Sequence, residues 1–141
     1  MVSANCDQYM EWNSTNFLAH LHDNPESSYI ITYKESDPKC SYIKKDSNNN
    51  VIETREKQVI SNDATIGVYH WAHTKDFFID AEQMIKDKAK ENNEYYVAPV
   101  YNYSIARGLN VRNYEVNKNE FWPVGTPDDL AEFRKYVTKD K

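Results

Sequence analysis

Three places in this 141-residue sequence could contact a phosphate-bearing ligand, and the first is Asp7. Asp7 follows residues 1–6, which have the composition of a short buried strand. Ligands of open α/β sheets gather beyond the carboxyl ends of strands, and a carboxylate there can hold Mg²⁺ against phosphates. An aspartate after a strand is also a common turn or helix-cap residue, so its position alone leaves both interpretations open.

The other two places are the pair Glu56-Lys57 and the glycine Gly67. A lysine ammonium can pair with a phosphate, and a carboxylate can accept hydrogen bonds from sugar hydroxyls. The alternative for this pair is a solvated position on an edge strand, which its spacing alone favours. Gly67 interrupts a predicted strand over residues 64–71, where a glycine marks either the close approach of a ligand or a simple bulge.

The remaining reactive side chains do not form a recognisable site. The sequence has four histidines, His20, His22, His70 and His73. Residues two apart on a helix do not share a face, and no cysteine stands near either histidine pair at a zinc spacing. Cys6 and Cys40 do not make a disulfide framework at this length, and neither has an electropositive setting. We therefore predict structural or surface histidines, inert thiols and a reduced, cytoplasmic location.

Composition argues against several classes of protein. The net charge is −5 with no basic patch, which argues against nucleic-acid binding. No apolar run could span a bilayer and no signal segment opens the sequence, so no membrane partner is expected. Only Gly67, Gly108 and Gly125 occur, whereas a loop that cradles phosphates needs several closely spaced glycines. We expect no standard nucleotide loop within these residues.

Hydrophobic periodicity predicts alternating strands and helices that would position the candidate residues. The predicted strands cover residues 1–6, 28–33, 41–45, 51–55, 64–71 and 110–116, and the predicted helices cover residues 13–24, 74–92, 95–106 and 126–137. Asn-rich residues 46–50 join two of the strands as a hairpin turn. This alternation predicts a single α/β domain over residues 1–141, with a mixed sheet flanked by helices.

Six short segments follow one another over nearly the whole chain. They are Asn5-Cys6-Asp7-Gln8, Pro38-Lys39-Cys40-Ser41-Tyr42, Arg55-Glu56-Lys57, Ala64-Thr65-Ile66-Gly67-Val68-Tyr69, Glu94-Tyr95-Tyr96-Val97-Ala98-Pro99-Val100-Tyr101-Asn102 and Trp122-Pro123-Val124-Gly125-Thr126-Pro127-Asp128-Asp129-Leu130. Their succession resembles the second half of the sugar-phosphate nucleotidyltransferases, the nucleoside-diphosphate-sugar pyrophosphorylase family. The resemblance implies part of a nucleotidyltransferase fold, which is Rossmann-like and glycosyltransferase-A-like.

Enzymes of that family join a nucleoside triphosphate to a sugar 1-phosphate or a similar phosphate ester and release pyrophosphate. The resemblance implies that Asp7 is a catalytic residue, as the Mg²⁺ ligand that follows the central strand. It implies that Ser41 is a small residue that lets the sugar approach, and that Glu56 binds sugar hydroxyls. It further implies that Lys57 binds the sugar phosphate and that Gly67 adds a backbone contact.

Two departures from the family pattern limit this expectation. The family's first half, with its glycine-rich loop, catalytic basic residue and base-reading strands, has no counterpart here, and Pro123 stands at the place of its second metal-binding aspartate. We therefore expect no turnover by this chain alone, which would be either a gene fragment or one half complemented by a nucleotide-binding chain. We also expect a homo-oligomer formed through exposed sheet edges and apolar surface. The alternatives are a non-catalytic module for sugar-phosphate binding or assembly, and an oligomeric α/β domain without a ligand.

Overall fold

A computed structural model of the protein describes residues 1–139 as eight strands and four α-helices. The strands are β1 (Val2–Ala4), β2 (Gln8–Met10), β3 (Ser28–Lys34), β4 (Tyr42–Lys45), β5 (Val51–Arg55), β6 (Asp63–His70), β7 (Val111–Glu115) and β8 (Phe121–Pro123). The helices are α1 (Ser14–Asp23), α2 (Thr74–Lys86), α3 (Val100–Ala106) and α4 (Pro127–Lys139). One short 3₁₀ turn, Lys118–Glu120, precedes β8.

Six strands form the main sheet in the order β5-β4-β6-β3-β7, with β1 pairing on β6. The β3–β7 pair is parallel, whereas β6 runs antiparallel to β1, β3 and β4. Strands β2 and β8 form a separate two-stranded antiparallel sheet. The predicted α/β fold, with a mixed sheet flanked by helices, is confirmed.

Alternating side chains of the central strands build a core on each face of the main sheet. On β3, Ile30 packs in a cluster with Met84 of α2 and Tyr101 of α3, while the neighbouring Ile31 packs in a second cluster with Phe17 of α1. Nearly all of β3 and all of β6 are buried, which is typical of strands covered on both faces. The helices thereby fix the sheet on which the candidate residues stand.

The main differences from the predicted elements lie at segment ends. Helix α2 ends at Lys86 rather than near residue 92, because Lys88, Asn92 and Asn93 adopt positive φ angles that break the helix. The predicted buried strand over residues 1–6 is a three-residue edge strand whose Val2 is 53% exposed. Strands β2 and β8 were not predicted. Among residues 1–139, no helix combines the length and apolarity needed to cross a membrane.

Candidate functional site

A gap in the main sheet lies beside the middle of β6. Strand β3 pairs along one side of β6, so β1 and β4 must share the other side, where β1 pairs with residues 68–70 and β4 with residues 63–64. Backbone hydrogen bonds flank the gap, from Thr65 N to Ser41 O and from Asn5 N to Gly67 O, both at 2.8 Å. The carboxyl end of β1 therefore faces the start of β4 across this gap.

The gap opens into a cleft of about 590 Å³ that brings the predicted site residues together. All five of them, Asp7, Ser41, Glu56, Lys57 and Gly67, line this one cleft. Further walls come from residues 95–98 and from the turn at residues 125–126 that precedes α4. Five residues from well-separated parts of the sequence thus share one concave surface with acidic, basic and hydroxyl groups.

Glu56 is the buried carboxyl group of the cleft, with only 9% of its surface exposed. Burial raises its pKa, and a hydrogen bond donated by the Ser41 hydroxyl opposes that rise. The backbone N–H of Glu56 donates to a carboxylate oxygen of Glu91 at 2.9 Å. Ser41 is therefore in position to orient the Glu56 carboxyl, in addition to being a small residue at the cleft wall.

Lys57 follows Glu56 in a left-handed backbone conformation, with φ of 52°. Its ammonium nitrogen donates to the Tyr96 hydroxyl at 3.4 Å and lies 5.3 Å from the centre of the Tyr96 ring. The Tyr96 hydroxyl in turn donates to Glu94 at 2.8 Å. This contact with Tyr96 is the main cause of the raised pKa of Lys57. An exposed lysine is thus held at the cleft by a neighbouring loop.

Gly67 has a positive φ of 75° and lies in a bulge, where the β3–β6 register shifts between the pairs Ile30–Tyr69 and Thr32–Thr65. A Cβ at this position would stand 2.3 Å from the side-chain nitrogen of Asn5. The positive φ therefore favours glycine here, and a Cβ would also displace the Asn5 side chain. The bulge predicted as one alternative is confirmed, and it lies at the cleft.

Asp7 is exposed at the opposite side of the gap, where Gly125 makes room for it. A Cβ on Gly125 would stand 2.6 Å from a carboxylate oxygen of Asp7, and Val124 N donates to Asp7 O at 3.0 Å. Thr126, the next residue, caps α4 by accepting a hydrogen bond from Asp129 N at 3.2 Å. The start of α4 is thereby fixed against Asp7.

Solved structures of other proteins share this architecture. A nucleoside-diphosphate-sugar pyrophosphorylase from Vibrio cholerae RC9 matches with a TM-score of 0.77 and 22% identity over 94% of this chain and 56% of its own. The chain has part of a nucleotidyltransferase-like fold. A putative glucose-1-phosphate thymidylyltransferase from Bacillus anthracis, in complex with sucrose, matches with a TM-score of 0.67 and 19% identity over 94% of this chain and 52% of its own.

A CMP:2-keto-3-deoxy-manno-octonic acid synthetase in complex with CTP matches more distantly. Its TM-score is 0.57 with 15% identity, over 96% of this chain and 63% of its own. No family model and no curated protein matches the sequence. The chain spans little more than half the length of the pyrophosphorylase and thymidylyltransferase structures, and at these identities the likeness establishes the fold alone.

The described residues of this nucleotidyltransferase-like fold do not form a metal site of their own. Within residues 1–139, no group of three or more His, Cys, Asp or Glu is placed to hold a metal ion. Pro123 lines the cleft without a carboxylate, and the Asp129 carboxylate accepts a hydrogen bond from the Thr126 hydroxyl at 2.6 Å. Asp7 fits the other mode of Mg²⁺ binding, in which one carboxylate joins substrate phosphates and waters.

Sequence reasoning missed the residues that support the predicted ones in the cleft. Asn5, Tyr96 and Gly125 fall within the segments that carried the resemblance, but nothing in their spacing showed what they contact. Glu91 had no signal, because its contact with Glu56 joins positions 35 residues apart. Cys40 lines the cleft as a half-buried thiol, whereas the four histidines do not line it.

Proposed function

We propose that this chain is the sugar-phosphate side of a nucleotidyltransferase of sugar-nucleotide biosynthesis. Such an enzyme joins a nucleoside triphosphate to a sugar phosphate and releases pyrophosphate. The observation that supports the proposal is the single cleft at the gap between β1 and β4, which contains Asp7, Ser41, Glu56, Lys57 and Gly67. The nucleotidyltransferase-like fold supports the proposal independently, because the likeness lies in the overall arrangement of strands and helices and does not depend on these five residues.

In the proposed site, Lys57 pairs with the phosphate of the ester through a charge-assisted hydrogen bond. Glu56, oriented by Ser41, accepts hydrogen bonds from sugar hydroxyls. Asp7 would hold a Mg²⁺ ion, and this ion would neutralise phosphate charge when bound. The contribution of these residues is to position the ester and to balance its charge, which are the main sources of rate enhancement in phosphoryl transfer.

We propose further that residues 1–141 correspond to the C-terminal half of such an enzyme and do not turn over alone. A nucleotide-binding segment, carried by a complementing chain or by the same polypeptide, would supply the glycine-rich loop. The partial coverage of the similar structures, 56% and 52% of their chains, supports this division. The two free cysteines are compatible with a reducing, cytoplasmic location, which stays a proposal.

The alternative is a non-catalytic module that binds a sugar phosphate or serves assembly. Pro123, at the place of a metal-binding aspartate, favours this second function, because one carboxylate holds phosphates and metal less well than two. The two functions differ in one measurement, pyrophosphate release with each nucleoside triphosphate in the presence of a candidate nucleotide-binding chain. Release supports the enzyme, and sugar-phosphate binding without release supports the module.

Binding is the first test, by calorimetry with Mg²⁺ and a panel of sugar phosphates that includes glucose 1-phosphate. Lys57→Ala should weaken binding by about tenfold or more, the usual worth of a hydrogen bond to a charged group. Lys44→Ala, which removes an exposed lysine on β4 outside the cleft, is the matched control and should bind like the wild type. The proposed function is wrong if the wild type binds no sugar phosphate, or if Lys57→Ala binds as well as the wild type.

A further inference from the structure

Tyr96 contacts the one lysine to which the proposed function assigns the phosphate, and the following inference rests on that function. We propose that Tyr96 is a positioning residue, which holds the Lys57 ammonium at the cleft so that it meets the phosphate of the ester already oriented. Nothing in the resemblance assigns a role to Tyr96. The contacts of one loop, residues 91–96, support this role.

The Tyr96 hydroxyl is oriented to accept the Lys57 hydrogen bond. It gives its own hydrogen to Glu94 at 2.8 Å, so its oxygen is left facing the Lys57 ammonium at 3.4 Å. A hydroxyl that donates to a carboxylate becomes a better acceptor, because hydrogen bonds in a chain polarise one another. An ammonium has three donors, so contact with Tyr96 leaves two of them for phosphate oxygens.

The loop that carries Tyr96 is itself firmly placed. Glu91 and Glu94 exchange backbone hydrogen bonds at 3.0 and 2.9 Å, around Asn92 and Asn93 with positive φ. The Glu91 side chain accepts the backbone N–H of Glu56 at 2.9 Å. One tight turn therefore contacts both members of the Glu56-Lys57 pair, the first through its backbone and the second through its side chain.

We expect this contact to strengthen binding, because the Lys57 side chain is already ordered before the ligand arrives and binding need not order it. A free lysine side chain samples many rotamers, and fixing them on binding weakens affinity. Lys57 is exposed and would otherwise be free to move, whereas the ring and hydroxyl of Tyr96 restrict it. Tyr96→Phe keeps the ring and removes only the hydroxyl, so it tests the hydrogen bond alone.

The experiment measures glucose 1-phosphate binding to the wild type, Tyr96→Phe, Lys57→Ala and the double variant by calorimetry. Tyr96→Phe should weaken binding by about fivefold, a loss of the size expected for one ordered side chain. In the Lys57→Ala background it should have no further effect, because the hydroxyl acts only through that lysine. Tyr103→Phe, which loses a hydroxyl bonded to Asp87 away from the cleft, should bind like the wild type.

The pH profile adds a readout that a purely structural role would not move. Contact with Tyr96 is the main cause of the raised pKa of Lys57, so without it the ammonium should lose its proton at lower pH. The alkaline loss of binding should therefore begin at lower pH in Tyr96→Phe than in the wild type.

Each remaining outcome separates the two claims. A wild type that does not bind contradicts the proposed function and, with it, this inference. A wild type that binds, with Lys57→Ala impaired and Tyr96→Phe unchanged in affinity and pH profile, contradicts the inference alone. An equal loss in the double-variant background also overturns it, and so does an equal loss in Tyr103→Phe. Should Tyr96→Phe fold poorly by circular dichroism, Glu94→Gln leaves the tyrosine in place and should weaken binding in the same direction.

Discussion

At the scale of single residues, Glu56 is a carboxyl group of the cleft whose surroundings oppose its charge. It is nearly fully buried, and its pKa is raised by burial despite the hydrogen bond from Ser41. A buried carboxyl without a cation in direct contact lowers the stability of the fold, but it can accept hydrogen bonds from neutral hydroxyls. This environment fits the sugar-facing role that we propose for Glu56.

A pH dependence of stability follows from Glu56. Because its pKa is higher in the folded state, the folded chain binds more protons than the unfolded chain above the ordinary carboxyl pKa of about 4.3. The Glu56 contribution to the free energy of unfolding should therefore fall as the pH rises from the ordinary carboxyl pKa to the higher pKa of Glu56 in the folded state. Urea unfolding between acid and neutral pH should show a smaller fall for Glu56→Gln than for the wild type. The exposed Glu82→Gln on α2 is the control, and identical slopes for Glu56→Gln and the wild type would contradict the assignment.

The predicted residues and the missed ones differ in the kind of information that places them. Asp7 and Lys57 could be found from sequence because each stands in a short segment with a family pattern. Asn5, Gly125 and Tyr96 depend on contacts between segments, such as Asn5 over Gly67, and local sequence does not contain such contacts. The sequence was thus sufficient to predict several residues that line the cleft, but not the residues that hold them in place.

At the scale of elements, a network of charged side chains joins the first half of α2 to the end of α3. Arg107 follows α3 and donates to Asp80 at 2.7 Å and to Asp76 at 2.9 Å, both on α2. Ser104 adds a hydrogen bond to Asp80 at 2.6 Å, and the Asp80 side chain is only 1% exposed. The network therefore fixes how these two helices, which flank residues 91–96 in the chain, pack against each other.

Removing the arginine should therefore destabilise the protein. Arg107→Ala leaves two carboxylates without their cation and should lower the free energy of unfolding by about 2–3 kcal/mol, somewhat less than a fully buried pair because Arg107 reaches solvent. Lys86→Ala breaks the exposed pair with Glu82 on α2 and should cost under about 0.5 kcal/mol. Equal urea midpoints for the two variants would show that the network does not support the helix pair.

Helix ends with a clear cap were predicted correctly, whereas very short elements and some uncapped ends were not. Helix α4 was predicted from Thr126 and Pro127, and the structure starts it there, because a cap and a fixed φ are encoded locally. The end of α2 was misplaced, since apolar spacing continues past Lys86 while Lys88 turns to positive φ. The three-residue strands β2 and β8 depend on each other over more than 100 positions, and neither has a periodic signal of its own.

At the scale of the whole molecule, β1 stands beside β6 with its other side unpaired among residues 1–139. Asn5 N bonds to Gly67 O, and Trp71 N bonds to Met1 O, so alternate residues of β1 face β6. The backbone groups of Val2 and Ala4 must then point away from the sheet. An unpaired strand edge of this kind can pair with another strand, and β1 ends at Ala4, three residues before Asp7 at the cleft. We therefore propose this edge as the contact between copies of this chain in the expected homo-oligomer.

The oligomer prediction can be tested with one backbone donor. Ala4→Pro removes an outward N–H without touching the bonds from residues 1, 3 and 5 to β6, because proline is tolerated where a strand faces solvent. Sedimentation velocity should show concentration-dependent association of the wild type and a shift toward monomer for Ala4→Pro. Phe78→Glu alters an exposed apolar residue on α2 instead and should associate like the wild type. If the wild type is monomeric throughout, or if Phe78→Glu and not Ala4→Pro dissociates it, the free edge of β1 is not where copies of this chain meet.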